Sequence, residues 1–309
     1  MHKGWLSVLL ATTTFGILFS AASSAQTTDN IKTGDVIKVT LGELNPTQSS
    51  LGYDEVYYKL GRYQRDSKKI FDDICETFGQ KGVLHFDKHS TPNHLDSFRC
   101  KAPVGTEKQE MKTVVIGPDN HYYLTDGHHT FTAFWQLPEG GASFPVYVLV
   151  SKDYRQEKDM TDFWQSMILD NNAWLYNISH NPISWQQLPK QLKLNDFDDD
   201  PYRSLVYFTR GIAWQKPTSP VPFLEFYWAD SLKSIFDITH YNLNDKKDYL
   251  KAITDMGETM IHLTSANLGG SGYSAIAMGQ YSSIDKKQLH KLTKTHGKLN
   301  DLLRYKNQQ

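Results

Sequence analysis

Cysteine is nearly absent: only Cys75 and Cys100 occur in 309 residues. Two thiols are too few for a thiolate zinc site. In an exported chain they read as one disulfide closing a loop of about 25 residues, worth about 3 kcal/mol; two unrelated free thiols are the other reading. An excess of charge of one sign is missing as well. Lys and Arg number 33 against 34 Asp and Glu, a formal net charge of −1. That excludes a broad electrostatic binder of nucleic acid, though not a local basic cleft. After the first 25 residues there is no apolar run long enough for a bilayer span. Internal repeats and low-complexity tracts are lacking too, which excludes solenoids and disordered tails.

What is present is the composition of a folded protein: 39% hydrophobic, 13% aromatic and 22% charged residues. The length predicts one to three domains with a sizeable core. Lys3 opens a basic start, Trp5 to Phe19 is largely apolar and uncharged, and Ser23-Ser24-Ala25 supplies small residues. This predicts a secretory signal peptide over residues 1–25, cleaved before Gln26, with an uncleaved anchor as the alternative. The mature chain is then expected to be periplasmic or secreted, without integral membrane association.

Residues 37–41 alternate as a strand, and Leu44-Asn45-Pro46-Thr47-Gln48 reads as a turn. Helices are predicted over 54–63 and over 67–78, the latter with Ile70, Phe71, Ile74 and Phe78 on one face. Residues 85–110 are loop-like. Thr113–Ile116, the turn Gly117–Asn120 and His121–Thr125 form a hairpin. Helix follows to Gln136, then a strand over Phe144–Val150. Mixed strands and helices in this order predict an α+β domain over 31–152. Beyond it, residues 155–309 read as a mostly α-helical region, with helices over 160–175, 200–214, 223–236, 247–263 and 285–305.

The segment most able to carry chemistry is Asp126-Gly127-His128-His129, where a strand hands over to a helix. Backbone N–H groups and a positive dipole end converge there, which suits an anion and phosphate above all. Gly127 permits close backbone approach. The histidines could donate hydrogen bonds, ligate a metal or move a proton, and Asp126 could orient an imidazole or cap the helix. An ordinary helix start with two surface histidines is the alternative.

Three pieces in order carry a resemblance: Leu44–Gln48 followed by Gly52-Tyr53-Asp54-Glu55-Val56, then Val115-Ile116-Gly117-Pro118-Asp119, then Tyr123–His129. Over about residues 37–150 the chain resembles the ParB/sulfiredoxin superfamily, most closely its ParB-like nuclease branch. Family-like features continue at Asp199-Asp200-Pro201-Tyr202-Arg203-Ser204-Leu205. The resemblance implies a ParB/sulfiredoxin-like N-terminal domain followed by the helical region. It implies phosphate binding at Asp126, Gly127, His128 and His129, with Pro46, Thr47 and Gln48 lining the same cleft. Glu55 is the nearest counterpart of the acidic base in the serine-kinase branch.

Departures narrow the function. Sulfiredoxins need a Cys in the signature, and this chain has His128 and no nearby Cys. Partitioning proteins and serine kinases place an Arg where Thr130 stands, which removes a bidentate phosphate contact. No helix-turn-helix is recognisable in 155–309, and a periplasm holds little nucleoside triphosphate. The expected activity is phosphodiester hydrolysis, with a divalent metal possible as cofactor. In that scheme His128, His129, Asp126 and Glu55 act at the reacting group, while Thr47, Gln48, Gly127 and Thr130 bind phosphate. The partner would be nucleic acid or a phosphate-bearing small molecule. The alternatives are a non-catalytic phosphate-ligand module of the envelope and a nucleotide-dependent serine-type kinase.

Other features have simpler readings. His85, Asp87, His89, His94 and Asp96 could bind a divalent cation, but the nearby Gly82, Pro92 and Asn93 fit a polar surface loop. Asp198-Asp199-Asp200-Pro201 fits a helix cap with Pro at the first position. Gly269–Gly272 lacks the Lys-Ser/Thr of a phosphate loop. The basic stretch from Lys286 to Lys306, with Leu289, Leu292, Leu299 and Leu302 at helical spacing, reads as an amphipathic helix with a solvated face.

Overall fold

Strand β1 (Val36–Thr40) alternates and buries Ile37 and Val39, as an edge strand with one covered face does. The structure is a computed structural model that describes Met1 and residues 30–309. The rest of the expected signal peptide lies outside the described residues. After β1 come β2 (Leu44–Asn45), β3 (Ser50–Leu51), α1 (Tyr53–Arg65) and α2 (Lys68–Thr77). A small antiparallel pair, β4 (Val83–His85) with β5 (Arg99–Cys100), follows. The hairpin is β6 (Thr113–Ile116) and β7 (Tyr122–Leu124), leading into α3 (His128–Trp135) and β8 (Pro145–Asp153).

The five-stranded sheet has the order β1-β8-β6-β7-β2. Strand β6 sits at its centre, and Val114, Val115 and Ile116 are all buried, so its continuous apolar run reflects cover on both faces. It pairs antiparallel with β7, Val115 opposite Tyr123, and parallel with β8. Val115 and Tyr123 pack against Phe163, Trp164 and Met167 of α4 (Met160–Leu169). The parallel pairing of β2 with β7 places Leu44 and Asn45 opposite Tyr122 and Tyr123. That register lays the Pro46-Thr47-Gln48 turn beside the start of α3.

The helical region continues through β9 (Asp198–Asp199), α5 (Pro201–Thr209), α6 (Leu224–Lys233), α7 (Lys246–His262), α8 (Lys286–Leu292) and α9 (Lys298–Lys306). Its tryptophans serve a core: Trp214 and Trp228 are fully buried among Leu205, Phe208, Tyr249 and Met256. Tyr58 of α1 belongs to the same cluster. Helix α9 lies so close to α1 that a Cβ on Gly61 would stand 2.0 Å from the Asp301 carbonyl oxygen. Buried Asp54, at the start of α1, accepts hydrogen bonds from the Tyr249 hydroxyl and from Lys306 Nζ, both at 2.9 Å. Residues 32–309 thus pack as one unit. The fold is α+β with a ParB-like N-terminal part and a helical C-terminal region.

Three helices are shorter than the periodicity predicts. Helix α4 stops at Leu169 rather than 175, because Asn171 takes a left-handed conformation (φ 55°) and the chain turns away. Helix α5 stops at Thr209, where Arg210 is extended and Gly211 left-handed. The expected basic helix over 285–305 is two helices. Thr293, Thr295 and Gly297 are weak helix formers, and the Asn300 amide donates to the carbonyls of Thr293 and Lys294 that the break frees. Leu292, Leu299 and Leu302 are buried all the same.

Cys75 and Cys100 form a disulfide tying α2 to β5, with Cα atoms 5.6 Å apart. The loop between β4 and β5 holds no metal cage. Among the described residues no three His, Cys, Asp or Glu side chains gather as a metal site. Asp87 instead accepts the backbone N–H of His89 at 2.8 Å. No helix among the described residues is long and apolar enough to cross a membrane.

Candidate functional site

Helix α3 begins at Gly127, whose φ of 106° is a glycine conformation. A Cβ there would also come within 2.6 Å of the Lys112 side chain. The first closed bond of the helix runs from Phe131 N–H to Gly127 O, so the N–H groups of residues 128–130 lie ahead of the ladder.

Both histidines face inward, and each is engaged. His128 Nε2 accepts the Thr47 N–H at 3.1 Å, and His129 Nε2 accepts the Gly52 N–H at 3.1 Å. Accepting at Nε2 leaves the ring proton on Nδ1, so the geometry requires neutral imidazoles. Electrostatics agree. Burial lowers His128 to about 3, with His129 beside it adding to the effect. Burial also lowers His129 to about 4, despite the opposing carboxylate of Glu55.

The remaining predicted residues divide into two groups. Thr47 donates its hydroxyl to Leu124 O at 2.6 Å, and Gln48 turns back to Ser50 O at 2.7 Å. The turn is clamped further where Trp174 N–H donates to Thr47 O. Asp126 points outward, with Lys112 Nζ at 3.1 Å, and bonds to neither imidazole among the described residues. Glu55 points inward, Oε2 lying 3.7 Å from His129 Nε2 and 3.3 Å from Arg203 Nη1. Thr130 lines a cavity of about 210 Å³ together with Lys59, Arg62, Lys112, Asp73, Glu76 and Glu110.

Arg203 reaches Glu55 because β9 pairs parallel with β3, Asp198 opposite Ser50. Asp200 then caps α5, accepting the Arg203 N–H at 3.0 Å with Pro201 in the first turn. The cap aims α5 at α1, and Ser204 accepts the Asp54 N–H. Arg203 and Arg210 also approach Glu225 of α6, at 4.0 and 3.5 Å.

Burial by itself raises the Glu55 carboxyl; His129, Arg203, Arg210 and Lys59 reverse that and hold it at about 2. With the imidazole neutral at pH 7, the guanidiniums are the standing charges. Glu225 likewise sits at about 2, its burial outweighed by Arg203, Lys216 and Arg210. Three buried atoms in this cluster have no hydrogen-bond partner among the described residues: Glu55 Oε2 and Arg203 Nε and Nη1. Glu55 Oε2 and Arg203 Nη1 face each other as an ion pair at 3.3 Å, and each keeps unused hydrogen-bonding capacity. The donor set does not fit a divalent metal. Both Nε2 atoms already accept backbone protons, and cations crowd the one free carboxylate oxygen.

A family model described as "Putative ParB-like nuclease" matches residues 37–234. The chain belongs to this ParB-like nuclease family. The match spans the sheet, the D-G-H-H corner and helices α1 to α6, so Glu55, His129, Arg203 and Arg210 all lie within the ParB-like region. The crystal structure of protein Atu1540 from Agrobacterium tumefaciens is similar in fold, with a TM-score of 0.50 and 22% identity, covering 73% of this chain and 92% of that one. No curated protein matches.

Sequence reasoning passed over the cations of this ParB-like site. Glu55, Tyr58, Lys59 and Arg62 recur at i, i+3, i+4 and i+7 along α1, a polar stripe beside the apolar one. Such a stripe normally faces water, which is why it carries no signal by itself. Arg203 lies within the family-like segment at 199–205, but its path to Glu55 depends on the β3–β9 pairing.

Proposed function

We propose that this ParB-like chain hydrolyses phosphodiesters at the corner between α1, α3 and α5. The observation that carries the reading is the buried ion pair of Glu55 Oε2 with the Arg203 guanidinium, 3.3 Å apart, in which Glu55 Oε2 and Arg203 Nε and Nη1 make no hydrogen bond among the described residues. A guanidinium edge with unused N–H donors suits a phosphoryl oxygen and offsets the charge that builds on it. The carboxylate oxygen suits a water. The water oxygen forms the new P–O bond, the ester P–O bond breaks, the alcohol leaves with a proton from solvent, and Glu55 takes up the water proton before passing it on.

The sequence-identified residues take graded roles. His129 holds the Gly52 backbone, and hence Glu55, against α3. His128 does the same for the Thr47-Gln48 turn, so both act as positioning residues. Thr130, Gly127 and the free N–H groups at the start of α3 face the phosphate, and Asp126 restrains Lys112. Export remains the expected setting, supported by the signal-like N-terminus and by a disulfide of the kind oxidising compartments maintain.

A second reading, a phosphate-ligand module of the cell envelope that does not turn over, is favoured by one observation. A carboxylate held at about 2 is a weak base. The deciding experiment incubates the protein with plasmid, single-stranded DNA and RNA, with and without Mg²⁺, Mn²⁺ or Zn²⁺. Cleavage that Glu55→Gln and Arg203→Met abolish supports hydrolysis. No turnover on any substrate refutes it and leaves the binding module.

A further inference from the structure

Tyr58 of α1 and Tyr207 of α5 stand with ring centroids 6.1 Å apart. Three cations gather on these two rings. The Arg62 guanidinium carbon is 5.6 Å from the Tyr58 centroid, and that of Arg210 is 4.8 Å from Tyr207. Lys298 Nζ, from α9, is 4.5 Å from Tyr207 and 5.6 Å from Tyr58.

Two of the three have carboxylates, Arg62 with Asp73 and Arg210 with Glu225. Lys298 has neither an ion pair nor a hydrogen bond among the described residues, only the two rings. Arg62 Nε is buried without a hydrogen bond. Ring faces attract a cation but do not neutralise it, so three positive charges around two rings repel one another. The repulsion registers on the lysine. Burial lowers its ammonium to about 8, and Arg210, Arg62 and Lys59 push the same way against Glu55. Lys298 is half-buried, and a charge withdrawn from water without a counter-charge is costly unless something supplies one.

The geometry points to a phosphate seat formed by Lys298, Arg62 and Arg210 over Tyr58 and Tyr207, in which the helical region grips the ligand that the D-G-H-H corner receives. The seat follows from the unpaired Lys298 beside two guanidiniums on the same rings. The choice of phosphate as its anion rests on the phosphodiester reading and on the match of guanidinium donors to phosphate oxygens. It gives α9 a part in binding, and with it the C-terminal region.

The test is titration of the full chain with inorganic phosphate, thymidine 5′-monophosphate and a phosphorothioate oligothymidylate at matched ionic strength. Wild type is compared with Lys298→Met and Lys298→Arg. At least one of these probes should bind, Lys298→Met should weaken it about tenfold or more, and Lys298→Arg should restore most of the loss. In wild type the Lys298 Nζ resonance should move on saturation, a readout that needs no variant. No binding by any probe, an unmoved resonance, or equal affinity in Lys298→Met overturns the seat. The three probes separate a free-phosphate site from a nucleotide or strand site. Lys298-dependent binding without cleavage refutes the nuclease reading and keeps the seat. Cleavage with unchanged KM in Lys298→Met does the reverse.

Discussion

The neutral histidines make acid a specific perturbation. His128 and His129 are held at about 3 and about 4, against an ordinary value of 6.5. Unfolding frees them to bind protons, so below 6.5 the unfolded chain takes up more protons than the folded one. Their stabilisation is complete above pH 6.5 and is lost as pH falls from there toward the folded values. Each pH unit in that window costs about 1.4 kcal/mol per group, so at pH 5 the two together cost about 4 kcal/mol. Raised carboxyls oppose this. Burial pushes Asp200 and Glu76 up, and burial of its carboxyl end, with Asp54 nearby, raises Asp199 to about 6. The residue as a whole is exposed, so solvent screening holds its offset under about 1 kcal/mol. Glu55 and Glu225, held at about 2, begin to cost stability only below their ordinary 4.5. The net loss between pH 7.5 and pH 5 is therefore about 2–3 kcal/mol, a large share of the stability of an ordinary domain. Urea titrations at the two pH values measure it. The double variant His128→Gln/His129→Gln should be less stable at pH 7.5 yet lose far less on acidification. Wild type that is equally stable at pH 5, or a double variant with the same pH dependence, would refute the argument that backbone N–H groups hold these rings neutral.

Other outcomes follow from single contacts. Asp301 is almost fully buried and receives two hydrogen bonds from the partly exposed Arg65, so Asp301→Ala should cost about 1–3 kcal/mol by removing two charge-assisted hydrogen bonds, as urea titration would show. Gly61→Ala, normally a gain in a helix, should instead destabilise by about 1–3 kcal/mol, because its Cβ meets the Asp301 carbonyl at 2.0 Å; a more stable variant would mean that α9 can move aside. Removing the Cys75–Cys100 bond with Cys75→Ser/Cys100→Ser should cost about 3 kcal/mol in the same assay.

Most of the fold follows from local pattern. The alternation in Val36–Thr40, the apolar run Thr113–Ile116, the Gly117–Asn120 turn and the i, i+4 spacing of α1 are short-range signals, and each produces its element. The misread boundaries share a cause. At Leu169, Thr209 and Leu292 the apolar periodicity continues past the point where left-handed or extended residues and weak helix formers turn the chain. Periodicity reports which face is covered, and it does not report where the backbone stops.

The candidate site divides along the same line. A strand, a glycine with positive φ and a helix start are adjacent in sequence, so the D-G-H-H corner is visible to a reader of residues alone. What those residues do there was not. Imidazoles next to a helix start look like anion ligands, yet 81 and 77 residues of separation are closed when His128 accepts from Thr47 and His129 from Gly52. These contacts make both rings neutral. The pairing of Glu55 with Arg203 depends on a two-residue strand match across the chain, and the three cations over Tyr58 and Tyr207 arrive from α1, from the residue that follows α5 and from α9. Element type and family are written in neighbouring residues. The charge state of a side chain depends on its solvation and on partners from distant segments, and only packing brings those together.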